Sequence, residues 1–322
     1  MEAFVQAVED LPPSLKTALL QSSPAMQKQV WELRLRAAAP LVLCGPFGSA
    51  LLQKDGTLGQ TLSAAVFVSA AELQDCFQRL CSFSVHTHQQ DIVHGFVTTH
   101  GGHRVGICGK ALCDAAGQVV AVRDISSLNL RIARQYFGCA AQLEPLLKKT
   151  DGGLLLAGPP SSGKTTMLRD LALRLSDFSH GNSKVCVVDT RQELIPMRGG
   201  VPQMQAGYNC DVLAGYPKAQ GMEIAVRAMS PAYLLCDELL TKEELDAVRH
   251  AANTGVRMIA SVHAANKADL LARPLVRALL ATGAFGKVIL LKKTPVPCTV
   301  ETVFDAKELQ NEMGVCTAGL GL

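Results

Sequence analysis

The feature that most narrows what this chain can fold into is an eight-residue stretch, Gly158-Pro-Pro-Ser-Ser-Gly-Lys-Thr165. It lies between an apolar run at 154–157 and a helix-forming run at 166–175. The stretch fits G-x-x-x-x-G-K-S/T, and a strand before it with a helix after it is the context that motif needs. Its glycines allow the backbone to wrap phosphates with N–H groups turned inward, at a closeness side chains would obstruct. The start of the next helix adds partial positive charge. The motif therefore predicts a nucleotide cradle formed by Gly158, Pro159, Pro160, Ser161, Ser162, Gly163, Lys164, Thr165 and Thr166. Lys164 is expected to reach the β- and γ-phosphates of ATP, and the Thr165 hydroxyl to ligate Mg²⁺. A chance glycine turn is the competing reading, and the ordered strand, loop and helix argue against it.

Three later apolar runs end in residues able to do chemistry beside such a cradle. Tyr233-Leu-Leu-Cys-Asp-Glu238 is a strand finishing in two carboxylates. Asp237 is expected to hold Mg²⁺, directly or through water, and Glu238 to orient and deprotonate the attacking water, a contribution of ~10² to 10⁴ in rate. The plainer alternative is a solvated cap before Thr241. Val185-Cys-Val-Val-Asp189 leads to Glu193, and in a parallel sheet its carboxyl end opens on the same crevice. Asp189 or Glu193 could steer water or metal there, and ordinary loop charge is the alternative. Ala260-Ser-Val-His263 ends another strand, where His263 could donate a hydrogen bond to the γ-phosphate; a lone histidine is more often structural.

From Gly153 the chain alternates short apolar runs with helical stretches, the pattern of a mostly parallel sheet with helices on both faces. Buried strands are expected at 154–157, 185–189, 233–236, 256–261 and 288–291. A helix should start after Thr241, with Glu244 completing a capping box, and stop before Gly255. Pro274 marks a break in the helix that follows. The first half reads as α+β: strands at 31–36 and 40–44, a helix at 70–82, a hairpin of 92–99 and 103–108 about Gly101-Gly102, and another strand at 118–123. The resulting division is an α+β domain at 1–138, a linker at 139–152 and the P-loop domain at 153–322.

Composition adds exclusions. With 322 residues and 48% hydrophobic content, two domains with sizeable cores are expected. The 31 basic and 28 acidic residues are spread along the chain, so no basic tract announces a nucleic-acid groove, and no nucleic-acid partner is expected. Eleven cysteines without a C-x-x-C pair fit reduced thiols in a cytosolic protein. The start, Met1-Glu-Ala-Phe, lacks a basic n-region, and no run approaches the ~18 apolar residues that span a bilayer, so any membrane role is expected to be peripheral. His86, His88, His94, His100 and His103 crowd one region, but without metal-ligand spacing.

Taken together, these motifs resemble the stage III sporulation AA family of the type II and type IV secretion ATPase superfamily. The likeness runs nearly end to end. It includes the P-loop, Asp189 with Glu193, the run from Asp211 through Pro217-Lys-Ala-Gln-Gly221-Met, Arg227-Ala-Met-Ser-Pro231, Asp237-Glu238 and His263. In the first half it includes Gly95-Phe-Val-Thr, Gly101-Gly-His-Arg-Val-Gly106 and Asn129-Leu-Arg-Ile-Ala-Arg134. The resemblance implies a RecA-like ATPase domain with an Asp box ending at Glu193, Walker B at Asp237-Glu238 and a His box at His263. It makes Glu238, Glu193 and His263 the catalytic set, and Thr165 with Asp237 the metal set.

It also implies a ring, a homo-hexamer assembling on nucleotide, with Arg104, Arg131, Arg134 or Arg227 completing charge neutralisation. The implied role is a Mg-dependent ATP-hydrolysing motor for a transenvelope channel between mother cell and forespore. Such a motor sits peripherally at the inner face of the mother-cell membrane, with the other stage III sporulation membrane proteins, AB to AH. The chain departs from the family at Asp189-Thr-Arg-Gln-Glu193, where Asp-Glu-Arg-Ser-Glu is common, and at Leu239-Leu-Thr, where Ile-Gly is. The altered acidic box leaves room for a nucleotide-gated scaffold that hardly hydrolyses ATP.

Overall fold

A computed structural model describes residues 2–294 and 296–314, with the side chains of His86, Thr87 and Gln90 outside the description. The chain divides into two compact units, Met1–Arg134 and Gln135–Leu322.

The first unit is built on a seven-stranded antiparallel sheet. Its strands are β1 (Glu32–Arg36), β2 (Val42–Gly45), β3 (Gly48–Leu52), β4 (Leu58–Gly59), β5 (Phe96–Thr98), β6 (Arg104–Cys113) and β7 (Val119–Arg131), in the spatial order β4-β3-β2-β1-β7-β6-β5. Alternation along β1 buries Leu33 and Leu35, which pack with Leu128 and Leu130 of β7 and with Leu73, Phe77 and Leu80 of helix α1 (Ala70–Leu80). A capping box fixes the start of α1, Ser69 accepting from the Glu72 N–H at 3.1 Å. The hairpin about Gly101-Gly102 is present as β5 with β6, but its expected first residues are not extended: a short helix occupies Gln89–Val93. The strand expected at 118–123 continues to Arg131, because pairing with both β1 and β6 satisfies its backbone along that length.

The second unit carries a seven-stranded sheet of β8 (Gly153–Gly158), β9 (Val185–Asp189), β10 (Cys210–Ala214), β11 (Tyr233–Cys236), β12 (Arg257–His263), β13 (Phe285–Leu291) and β14 (Val300–Asp305). The order is β10-β9-β11-β12-β8-β13-β14, parallel throughout except for the last strand. β8 and β9 are buried along their whole length, which is why both read as unbroken apolar runs. Helices α2 (Lys164–Ser176), α3 (Lys218–Ile224) and α4 (Lys242–Asn253) connect them. On one face Leu155, Cys186, Leu234 and Ala260 pack with Met222, Val248 and Ala251. On the other Leu154, Leu156, Val187 and Leu235 pack with Met167, Leu168 and Leu171. The stretch 139–152 contributes Leu143 and Leu147 to that second core. Pro274 begins its own helix, Pro274–Ala281, just past one ending at Ala272. Among the described residues no helix is long and apolar enough to cross a membrane.

Candidate functional site

Parallel pairing brings the carboxyl ends of four strands side by side. In register, Gly158 of β8 stands beside His263 of β12, and Cys236 of β11 lies between Val188 of β9 and Ala260 of β12. The residues just beyond these ends are therefore neighbours because of strand order, although they are far apart in sequence. Ser161, Lys164, Thr165, Thr166, Glu193, Asp237, Glu238 and His263 line one cleft there.

The cradle has the conformation its sequence demands. Gly163 has φ +97°, and a Cβ at that position would lie 2.5 Å from the Cys298 backbone nitrogen. Pro159 and Pro160 shape the turn but have no N–H, so donors for phosphate begin at Ser161 and continue into the first turn of α2, where Lys164, Thr165 and Thr166 have no intrahelical acceptor. Lys164 is 7% exposed, and its ammonium donates to the carbonyls of Gly158 at 2.8 Å and Pro159 at 3.0 Å. Burial pulls its pKa below that of an ordinary lysine, while Asp237 and Glu238 act in the opposite sense.

The third contact of Lys164 fixes the histidine. Nζ lies 3.2 Å from His263 Nδ1. An ammonium can only donate, so Nδ1 accepts and Nε2 carries the ring proton, which points to Glu238 Oε1 at 2.7 Å. His263 thus bridges Lys164 and Glu238. Asp237 accepts from the Thr165 hydroxyl at 2.6 Å and from the Ser261 hydroxyl. Thr165 and Asp237 together form a hard oxygen pair of the kind Mg²⁺ prefers.

Glu238 is held in a left-handed backbone with φ +42°, unusual for a residue with a Cβ and costing roughly 1–3 kcal/mol. Its N–H donates to Ser261 Oγ at 3.0 Å, and its carbonyl accepts from Lys218. Arg191 approaches its other carboxylate oxygen at 3.5 Å, an exposed and loose contact.

Of the two acids, only Glu193 lines the cleft with the cradle; Asp189, the last residue of β9, lines an adjoining pocket that shares Glu193, Asp237 and Glu238. Asp189 is 3% exposed and accepts the N–H groups of Glu193, Leu194 and Ile195 at 2.9, 2.9 and 2.8 Å. Burial raises its pKa against the opposing pull of those bonds. It anchors a loop; Glu193, presented by that loop, lines the cleft. Half-buried Arg169 on α2 closes the loop by donating to the carbonyls of Glu193 and Leu194, both at 2.6 Å. Lys218, Ser261 and Arg169 carry no motif that marks them from composition or spacing; Lys218 and its neighbours stood out only as part of the family-like run. The arginines considered for charge neutralisation have local roles as well: Arg134 donates to Val30 O at 2.6 Å, and Arg104 lies 3.7 Å above the Phe96 ring.

Comparisons with known proteins bear on the family and the fold. The family model described as "Sporulation stage III, protein AA" matches residues 6–310. Stage III sporulation protein AA of Bacillus subtilis (strain 168) is 35% identical over 304 residues, covering 93% of this chain and 94% of that protein. Among solved structures, the ADP-bound pilus retraction motor PilT superposes with a TM-score of 0.59 at 15% identity, over 90% of this chain and 85% of its own. The ATPase DotB of Legionella pneumophila gives 0.50 at 15% identity, over 81% and 72%. The α/β fold is thus shared with these two solved structures, and the chain belongs to the sporulation stage III protein AA family.

Proposed function

We propose that this protein binds Mg-ATP at the cleft of the second unit and hydrolyses it. The observation that carries the reading is the convergence, in one cleft, of Lys164, the Thr165–Asp237 pair, Glu193 and the His263–Glu238 pair. The N–H groups from Ser161 to Thr166 and the ammonium of Lys164 bind the phosphates. Thr165 and Asp237 hold Mg²⁺, which supplies charge neutralisation on the phosphate oxygens. Glu238 orients water and takes its proton, while His263 keeps the carboxylate aimed and links its state to Lys164. Glu193 adds a second carboxylate at the side of the cleft nearest β9. Pocket geometry and the resemblance to ATPases support this reading.

The motor role follows the family. A homo-hexamer forming on nucleotide, peripheral to the mother-cell membrane and working with the other stage III membrane proteins, is the assembly we propose. Arg227, exposed at the amino end of β11 and so remote from its own cleft, is the arginine best placed to serve a neighbour. The second reading, a nucleotide-gated scaffold, is favoured by Gln192 at the site where the family commonly has serine and by Thr190 where it has an acid. Single-turnover hydrolysis separates the two. A motor releases phosphate at a rate well above a Glu238→Gln control, whereas equal rates with tight ATP binding identify a scaffold.

A further inference from the structure

Lys218 belongs to none of the parts that touch phosphate, yet it is one of the most enclosed charges beside the cleft. It is the first residue of α3, a helix seated directly on β9: a Cβ on Gly221 would lie 2.6 Å from Val188 Cγ1. That close seating brings the Lys218 side chain to the ends of β9 and β11. There it is 12% exposed and meets Glu244, 10% exposed, at 3.4 Å. Glu244 is itself fixed, its other oxygen accepting the N–H groups of Leu240 at 2.6 Å and Thr241 at 3.2 Å. The ammonium then donates to the main-chain carbonyl of Glu238.

The consequence lies in the Glu238 backbone. A residue with a Cβ holds φ +42° at a cost, so contacts that grip its peptide groups stabilise that conformation. Here Ser261 Oγ takes the N–H at 3.0 Å and Lys218 takes the carbonyl. With both ends fixed, the Cα–Cβ bond points to the cleft, and the carboxylate meets His263 Nε2 at 2.7 Å. We propose that Lys218 is a positioning residue for catalysis: buried against Glu244, it locks the left-handed Glu238 peptide and so aims the water-activating carboxylate. This rests on the reading of Glu238 as the group that activates water.

The test compares the full-length protein with three variants, measuring kcat and KM for Mg-ATP and the affinity for a fluorescent ATP analogue. Lys218→Met paired with Glu244→Gln removes the grip without leaving a buried carboxylate unpaired, and the glutamine still accepts the cap. It should lower kcat by about 10²-fold, the smaller end of what a mispositioned general base forfeits, with KM and analogue affinity within about threefold. Lys218→Arg, able to reach both partners, should keep kcat within about fivefold. Glu238→Gln is the reference for lost chemistry. A double variant with unchanged kcat beside an inactive Glu238→Gln overturns the positioning role and leaves ATP hydrolysis standing. Parallel loss of kcat and analogue affinity, unrelieved in Lys218→Arg, also overturns it, as the mark of a purely structural ion pair. A wild-type chain no faster than Glu238→Gln overturns the hydrolysis reading, and the positioning role with it.

Discussion

Two buried residues show how environment decides which titratable groups do chemistry. His103 is fully enclosed, accepts the Ala133 N–H on Nδ1 at 3.1 Å, and has its pKa lowered to about 4 by burial, with His100 and Arg134 adding to the effect. Its folded pKa lies below the ordinary 6.5, so the neutral ring stabilises the fold above that value, and the contribution is lost as pH falls from 6.5 through about 4. Urea unfolding should show this loss, on the order of 3 kcal/mol, and His103→Asn, whose amide oxygen can accept the same N–H, should flatten the slope. Asp189 behaves differently, its acceptors being committed to three loop amides. Asp189→Ala should destabilise the second unit by about 2–3 kcal/mol in the same assay, with nucleotide affinity largely kept. On spacing alone, Asp189 and Glu193 are equal candidates, and only the family resemblance singles out Glu193. In the structure they separate where the chain turns at Gln192, φ +52°, a turn no spacing rule announces.

At the scale of elements, legibility tracked burial. β8, β9, β11 and β12 were readable because parallel strands covered on both faces become apolar runs, and the α4 capping box was readable because Thr241 and Glu244 sit three apart. The edge strand β10 escaped notice, since its half-covered residues include Asp211 and lack such a run. Gln89–Val93 misled because Ile92 and Val93 favour strands on intrinsic grounds, while Ile92 is buried in the first core from a helix. Two predictions belong here. Gly163→Ala must force both φ +97° and a 2.5 Å approach to Cys298, so binding of the fluorescent ATP analogue should weaken by at least about 10²-fold. Thr241→Ala should lower stability in urea by about 1 kcal/mol and leave the affinity for the analogue unchanged.

For the whole molecule, assembly is the property to measure. The second unit exposes Phe178 and Tyr208, 65% and 86% accessible, as a tilted pair with ring centroids 6.4 Å apart. Mass measurement with and without a non-hydrolysable ATP analogue should show conversion from a small species to a hexamer, and Lys164→Ala should stay small in both. The register of the central sheet also limits how this protein can vary over time. Gly158, Asp237, Glu238 and His263 stand at or just beyond the tips of adjoining pleated strands, where adding or deleting one residue inside β8, β11 or β12 would rotate every later side chain to the opposite face. Length changes in descendants should therefore collect in connecting turns, and those three strands should keep a constant residue count even where their letters drift.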